Sequence, residues 1–290
     1  MKIPAYIQLQ FIVLMWGFTG VIGKLITLSS IPLVWGRTLI ATVFLYIYLR
    51  FIVKENFIIK KKLILQFIGC GFVIGIHWVL FYGAIKISNI SIATSTLSTG
   101  TLFAALLEPI FLKRKIKISE IFISIIIILC IFLIFKTEFQ YWKGILMGVS
   151  CALLSALFSV INGKLHSKSN ATVLTFYEMI GGFLILNLFI GFGNNLDQII
   201  HIKFMDIFWL IILSCILTCL PMIHTIKLMK FLTPFTIMLS INLEPVYAIL
   251  IAFLIWSDAE KMSLTFYIAT AIMILAICTN GYLKNRTSQR

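Results

Sequence analysis

Residues Ile121–Phe135 read IFISIIIILCIFLIF. A strand of a membrane barrel alternates apolar and polar side chains with a period of two, whereas this run is apolar on every side, so it is expected to be a helix. In lipid the backbone polar groups must bond within their own segment, which a helix achieves. Spanning a hydrocarbon core of about 30 Å takes roughly 20 residues of helix. Working outward from this run, ten such segments are expected, at 4–26, 31–50, 63–85, 91–112, 119–135, 142–164, 171–192, 204–226, 233–256 and 263–283. The 290 residues are thereby almost used up, and little is left for a soluble domain. Composition agrees, since 61% of residues are hydrophobic and only 12% charged, against about 25% charged in soluble domains.

Lys2 before an apolar run has the outline of a secretory signal, but the run is too long for one and no small-x-small cleavage site follows. It is expected to stay as an uncleaved first span. Of the 24 Lys and Arg, 17 fall in segments on the side of the N-terminus and five (Lys86, Lys136, Lys143, Lys203 and Lys261) on the other, while Lys24 and Arg37 lie within spans. Basic loops stay in the cytoplasm, so both termini are expected there, in a multi-pass protein of the cell (inner) membrane. Basic loops on an anionic leaflet account for the net charge of +14, and no nucleic-acid partner is expected.

The six cysteines form no C-x-x-C, and Cys215 and Cys219, which share a helix face, have no His pair beside them. Neither a metal site nor a disulfide is expected. No G-x-x-x-x-G-K-[ST], D-D-x-x-D, H-E-x-x-H or G-x-S-x-G occurs, so no nucleotide, other cofactor or catalytic role is expected. No charged ring repeats as a channel would require.

The halves repeat each other. Leu14–Leu25 reads LMWGFTGVIGKL and Leu154–Leu165 reads LSALFSVINGKL. At an offset of 141 Arg37 falls on Glu178, a cation on an anion. At 144 Ala84-Ile85-Lys86 falls on Leu228-Met229-Lys230, Ile118-Ser119 on Met262-Ser263, and Thr101 on Pro245. The register that aligns Glu108-Pro109 with Glu244-Pro245 has an offset of 136 and breaks the other matches. Five spans per unit is an odd number, so the second unit enters the membrane from the opposite side. The expected fold is all-α and integral to the membrane, ten transmembrane helices built as two inverted five-helix repeats, a design that gives outward-open and inward-open states of similar energy.

These residues resemble the drug/metabolite transporter superfamily, specifically the ten-span EamA-type permeases. The resemblance rests on MWGFTGVIGK in span 1, Arg37 with Ala41 in span 2, FYGAIKIS entering span 4, INLEPVYAILIAFLI in span 9 and the turn Glu260-Lys261-Met262-Ser263. It covers nearly the whole chain, with repeats at 4–136 and 142–284 and a cytoplasmic tail at 285–290. In the first half Lys115 and Ile116 replace the glutamate usual before the last turn, and Thr101 stands where proline is common. The resemblance implies a secondary carrier with a central cavity lined largely by spans 1, 3, 4, 6, 8 and 9, whose relatives carry amino acids, nucleosides, sugars and drugs.

Polar groups at membrane depth are the candidates for substrate binding or coupling, since a charge at mid-helix costs on the order of 3 kcal/mol. Glu244, beside Asn242 and before Pro245, is the first candidate, for a proton, another cation or a substrate amine; the other reading is a structural hydrogen bond. Arg37 and Glu178 lie on opposite sides of the midplane, in structural pairs or in gating and anion binding. In span 3, His77, Trp78, Phe81 and Tyr82 share one face, as a stacking platform or as helix packing. Trp16, Asn162 and His224 complete the set, His224 as an interior histidine. Lys24 and Lys164 are expected to snorkel to headgroups, Glu108 to pair with Arg114, and Gly17, Gly20, Gly23, Gly71 and Gly75 to permit close helix contact. The expected function is export of a small organic metabolite by alternating access, with protons as candidate coupling ion and the bilayer as surroundings. A lipid or isoprenoid carrier is the alternative, and an integral membrane enzyme a more distant one.

Overall fold

The computed structural model describes residues 4–113 and 118–288, and every regular element among them is helical. The main helices are α1 (Ala5–Leu25), α2 (Ser30–Val53), α3 (Lys61–Ile87), α4 (Ile90–Leu112), α5 (Ile118–Thr137), α6 (Trp142–Leu165), α7 (Ala171–Ile190), α8 (Phe204–Leu228), α9 (Pro234–Trp256) and α10 (Leu264–Ser288). Eight are long and apolar enough to cross a membrane, while α5 and α10 contribute the shorter apolar stretches Ile121–Thr137 and Leu264–Ala276. Lys2, Arg114, Lys115, Lys117 and Arg290 lie outside the described residues, and with them the expected Glu108–Arg114 pair; so do the side chains of Ser119, Asp258, Cys278, Lys284 and Arg286.

The surface differs from that of a soluble domain, and hydroxyls are buried beside the apolar core. Phe11, Phe51, Leu188, Leu254 and many other large apolar residues face outward, while Thr94, Ser95, Thr96, Thr175, Ser214 and Thr218 are fully buried. Water would penalise such a surface; lipid does not. Several interior hydroxyls are satisfied within their own helices, as where Thr175 Oγ1 donates to Ala171 O at 2.9 Å and Ser214 Oγ to Leu210 O at 2.6 Å.

The main core joins α2, α3, α6, α7 and α8. Its tightest crossing is α3 on α7, where glycines let two backbones meet: a Cβ on Gly71 would stand 2.1 Å from Glu178 O. On the other side α1 lies against the second half of α9, with Gly17 under Tyr247. These are the close approaches the glycine spacing leads one to expect. A smaller cluster holds α5 and α10 together.

Helices α4 and α9 are both interrupted in mid-course. The first half of α4 ends at Leu97 and its second begins at Gly100; α9 ends a first half at Ile241 and resumes at Glu244. Both breaks, both helix starts (Ile90 and Pro234) and both helix ends (Leu112 and Trp256) differ by 144 residues. Even the N-caps match, since Asn89 Oδ1 accepts from Ile92 N at 2.8 Å and Thr233 Oγ1 from Thr236 N at 3.2 Å. The two helices run antiparallel, the first half of each against the second half of the other. Causes differ: Pro245 supplies no N–H to the preceding turn, whereas α4 breaks in STLSTGT. There Thr96 Oγ1 turns back onto Ile92 O at 2.7 Å, Thr99 Oγ1 onto Thr96 O at 2.7 Å, and Gly100 follows. Pro109, by contrast, sits inside the unbroken second half of α4.

Candidate functional site

A central chamber of about 70 Å³ lies beside the two breaks. Its walls come from α1 (Trp16, Thr19), α2 (Arg37), α3 (His77, Trp78, Phe81), α6 (Ser155, Phe158) and α8 (Met222). Leu97, Ile241 and Glu244, at the edges of the breaks, complete it. Trp16, Phe158, Met222 and Ile241 also bound a second chamber of about 40 Å³, which reaches along α6 to Ser159 and Asn162 and along α8 to Thr225 and, just past its end, Met229.

Arg37 is 2% exposed and held on three sides. Nε donates to Thr218 Oγ1 at 2.8 Å, Nη1 to Tyr82 Oη at 2.8 Å, and the guanidinium carbon lies 3.8 Å from the centre of the Trp78 ring. Two of five N–H donors are thus used, and the cation–π contact fixes the plane of the fork. Thr218 reaches this place from a π-helical stretch, Ile212–Cys219, in which its own hydroxyl donates to Leu213 O at 2.5 Å. Such a widening adds a residue to the turn and re-aims the side chains after it.

Glu244 opens the second half of α9 and is 5% exposed, facing the chamber. It shares the chamber with Arg37 but forms no ion pair with it or with any described residue. A guanidinium and a carboxyl group thus line one small space with no ion pair between them, with Trp16, Phe81 and Phe158 as the apolar remainder. The break is fastened by Asn242, whose Nδ2 donates to Thr101 Oγ1 of α4 at 2.7 Å and to Met238 O at 2.7 Å. His77 Nδ1 lies 2.9 Å from Cys151 O, and its ring stands edge-on to Phe158 at 5.2 Å.

Trp16, Arg37, His77, Trp78 and Glu244 are therefore brought together in the central chamber, with Tyr82 behind Arg37, while Asn162 lines the second chamber. Asn242 braces the break from outside the chamber wall. Glu178 is fully buried on α7, and neither carboxylate oxygen has a hydrogen bond of proper geometry; Cys70 and Asn162 are its polar neighbours. His224 corrects the expectation of an interior histidine. It is exposed, with Nδ1 2.9 Å from Leu220 O, and lines a lateral groove with Gln8, Phe11 and Pro221. Among the described residues no group of His, Cys, Asp and Glu could hold a metal ion, and the five described cysteines are free.

One end of the bundle is tied shut by polar contacts. Glu260, fully buried, pairs with Lys24 Nζ at 2.7 Å and accepts from Ile90 N at 3.1 Å, Ser91 N at 2.9 Å and Ser91 Oγ at 2.8 Å, capping α4. Lys24 thus does not snorkel; it also stands 4.6 Å above the Trp256 ring. Lys164 is exposed, as snorkelling requires. Nearby, Asp206 accepts from Thr27 N at 2.7 Å and Thr27 Oγ1 at 2.6 Å, and Lys86 Nζ donates to Ile26 O. Sequence reading missed Thr218, Thr101 and Ser155, single hydroxyls among many in apolar segments. For Thr101 there was one signal, its place opposite Pro245 in the repeat.

The model of the EamA-like transporter family matches residues 4–136 and again 142–282. An uncharacterized transporter of Bacillus subtilis, YxxF, is 27% identical over 203 residues, 68% of this chain and 65% of its own. An uncharacterized transporter of Archaeoglobus fulgidus is 28% identical over 137 residues, 46% of this chain and 49% of its own. The chain thus spans less than two thirds of the length of either relative. A solved crystal structure is alike over 94% of this chain and 95% of its own with a TM-score of 0.66; at 14% identity that likeness shows the fold alone.

Proposed function

The chain belongs to the EamA-like transporter family, multi-pass membrane transporters of the drug/metabolite type, and from that premise we propose that it exports a small organic metabolite by proton-coupled alternating access. The observation that carries this reading is the pair of antiparallel broken helices beside a chamber that Arg37 and Glu244 both line with no ion pair between them. In carriers, discontinuous helices at corresponding positions of two repeats mark the transport site.

In this reading the units at 4–136 and 142–284 are inverted copies, ten helices cross the inner membrane, and both termini, with the tail at 285–290, are cytoplasmic. Arg37 receives the negative or polar end of the substrate, Trp16, His77 and Trp78 bound its apolar part, and Glu244 exchanges a proton or meets a substrate amine. The chamber of about 70 Å³ is contracted, since ligand pockets run about 300–1,000 Å³. Loading requires α4 and α9 to part, and the Lys24–Glu260 tie is the gate on the outer side. Glu244→Gln in purified protein reconstituted in liposomes is the test. Substrate flux that follows an imposed pH gradient in the native protein and ceases to do so in the variant is the expected result; flux with unchanged pH dependence rules out the coupling role.

A lipid or isoprenoid carrier is the second reading. It draws on the lateral groove between α1 and α8, about 560 Å³, lined by Phe11, Ile12, Met15 and Leu220 with Gln8 and His224. Movement of a fluorescent phospholipid between leaflets, with no flux of water-soluble metabolites, would favour it.

A further inference from the structure

The second chamber adjoins a carboxylate that the reading above leaves unused. Both oxygens of Glu178 are sealed from solvent and without a hydrogen bond of proper geometry, Cys70 and Asn162 being the polar side chains beside them, and Ser159 Oγ, on the chamber wall, is buried and unpaired. Asn162, one turn along α6 from Ser159, touches both sides: it lines the chamber and neighbours Glu178, while its Oδ1 lies 3.5 Å from Cys70 Sγ.

The close α3–α7 crossing at Gly71 fixes the backbone of Glu178, so the carboxylate cannot withdraw to a headgroup. Facing it are Cys70 from α3 and Asn162 from α6, with Ser159 one turn from Asn162 on the chamber wall, while α2 contributes Thr38 against Gly182. From α8 and the residue that follows it the chamber wall takes Met222, Thr225, Ile226 and Met229, none of them charged. Arg37, at the matching place in the first half, is turned to Thr218 and Tyr82. No described cation compensates this carboxylate, and a lone anion in a low-dielectric interior is strongly disfavoured. The oxygens gathered here are hard donors that suit a hard cation.

We propose that Glu178, with Ser159 and Asn162, forms a binding site for a monovalent cation, a proton or a sodium ion, loaded from the second chamber and separate from Glu244. As a transport device it rests on the carrier reading; as a binding site it does not, and its test needs no transport.

Infrared difference spectra of the purified full-length protein read the carboxyl directly, with the Glu178 band identified by its loss in Glu178→Gln or by its shift in Glu178→Asp. If the ion is a proton, the band titrates with pH and ignores sodium. If it is sodium, adding NaCl in place of choline chloride removes the band and releases protons. Either outcome supports the site, and in both the signal persists in Glu244→Gln, which separates this proposal from the coupling role of Glu244. Ser159→Ala leaves the carboxylate in place and is expected to shift the midpoint several-fold, giving a reading even where Glu178→Gln does not fold. A band that responds to neither pH nor sodium, or a midpoint unmoved by Ser159→Ala, overturns the proposal.

Discussion

Replacing Glu260 by alanine tests whether the polar tie at one end of the bundle is a gate. The change strips partners from Ile90 N, Ser91 N and Ser91 Oγ, at the first turn of α4, and leaves Lys24 with the Trp256 face alone. Breaking a buried ion pair costs about 3–5 kcal/mol. The Lys24 side chain is 24% exposed and regains some water, which places the expected loss near the lower end of that range, about 3 kcal/mol. Glu260→Gln keeps the shape and an acceptor oxygen, for a loss of about 1–2 kcal/mol. With about 1.4 kcal/mol per factor of ten, the closed state loses about a hundredfold in population with alanine and about tenfold with glutamine. A cysteine at Thr19, on the chamber wall, reports opening through its rate of labelling by a membrane-impermeant thiol reagent added outside, with thermal melting run beside it to confirm folding. The expected order is alanine, then glutamine, then the native residue. Equal rates in three folded proteins would refute the gate.

Other substitutions follow from the same geometry. Gly71→Ala drives a methyl group into Glu178 O and is expected to destabilise by about 1–3 kcal/mol or more, while Gly69→Ala, which meets nothing within 4 Å, serves as its control in melting experiments. Arg37→Lys keeps the charge but loses the planar fork over Trp78 and its bonds to Thr218 and Tyr82. Substrate affinity is expected to fall about tenfold or more with folding retained, checked by ligand-induced melting shifts across a metabolite panel. Asn242→Ala removes the bond to Thr101 and should cost about 1–2 kcal/mol in stability; an unchanged melting temperature would show that the breaks are not fastened there.

Helix positions were legible because each apolar run is long enough to cross a bilayer. Arg37 and Glu244 were legible for the same reason in reverse, as charges with no place in lipid. The break in α4 was not. Its cause is a run of hydroxyls bonding back to their own carbonyls, and isolated Ser and Thr are common in unbroken membrane helices. Thr218 and Ser159 were hidden likewise. Lys24 and Glu260 are 236 residues apart, and each sits at a span end where a charge ordinarily meets headgroups, so neither announced the other. His224 follows the π-helical Ile212–Cys219 stretch, which shifts the face pattern of everything after it.

The connection between the halves at 138–141 gives the most direct test of their opposed orientation. A single cysteine at Phe139, which is 59% exposed, and tags on the two termini can be probed with an impermeant reagent in intact and in opened cells. Five crossings per half require the cysteine to react from outside and both tags to be reached only from within. A cysteine found on the same side as the termini would mean parallel halves, and alternating access between inverted repeats would be contradicted.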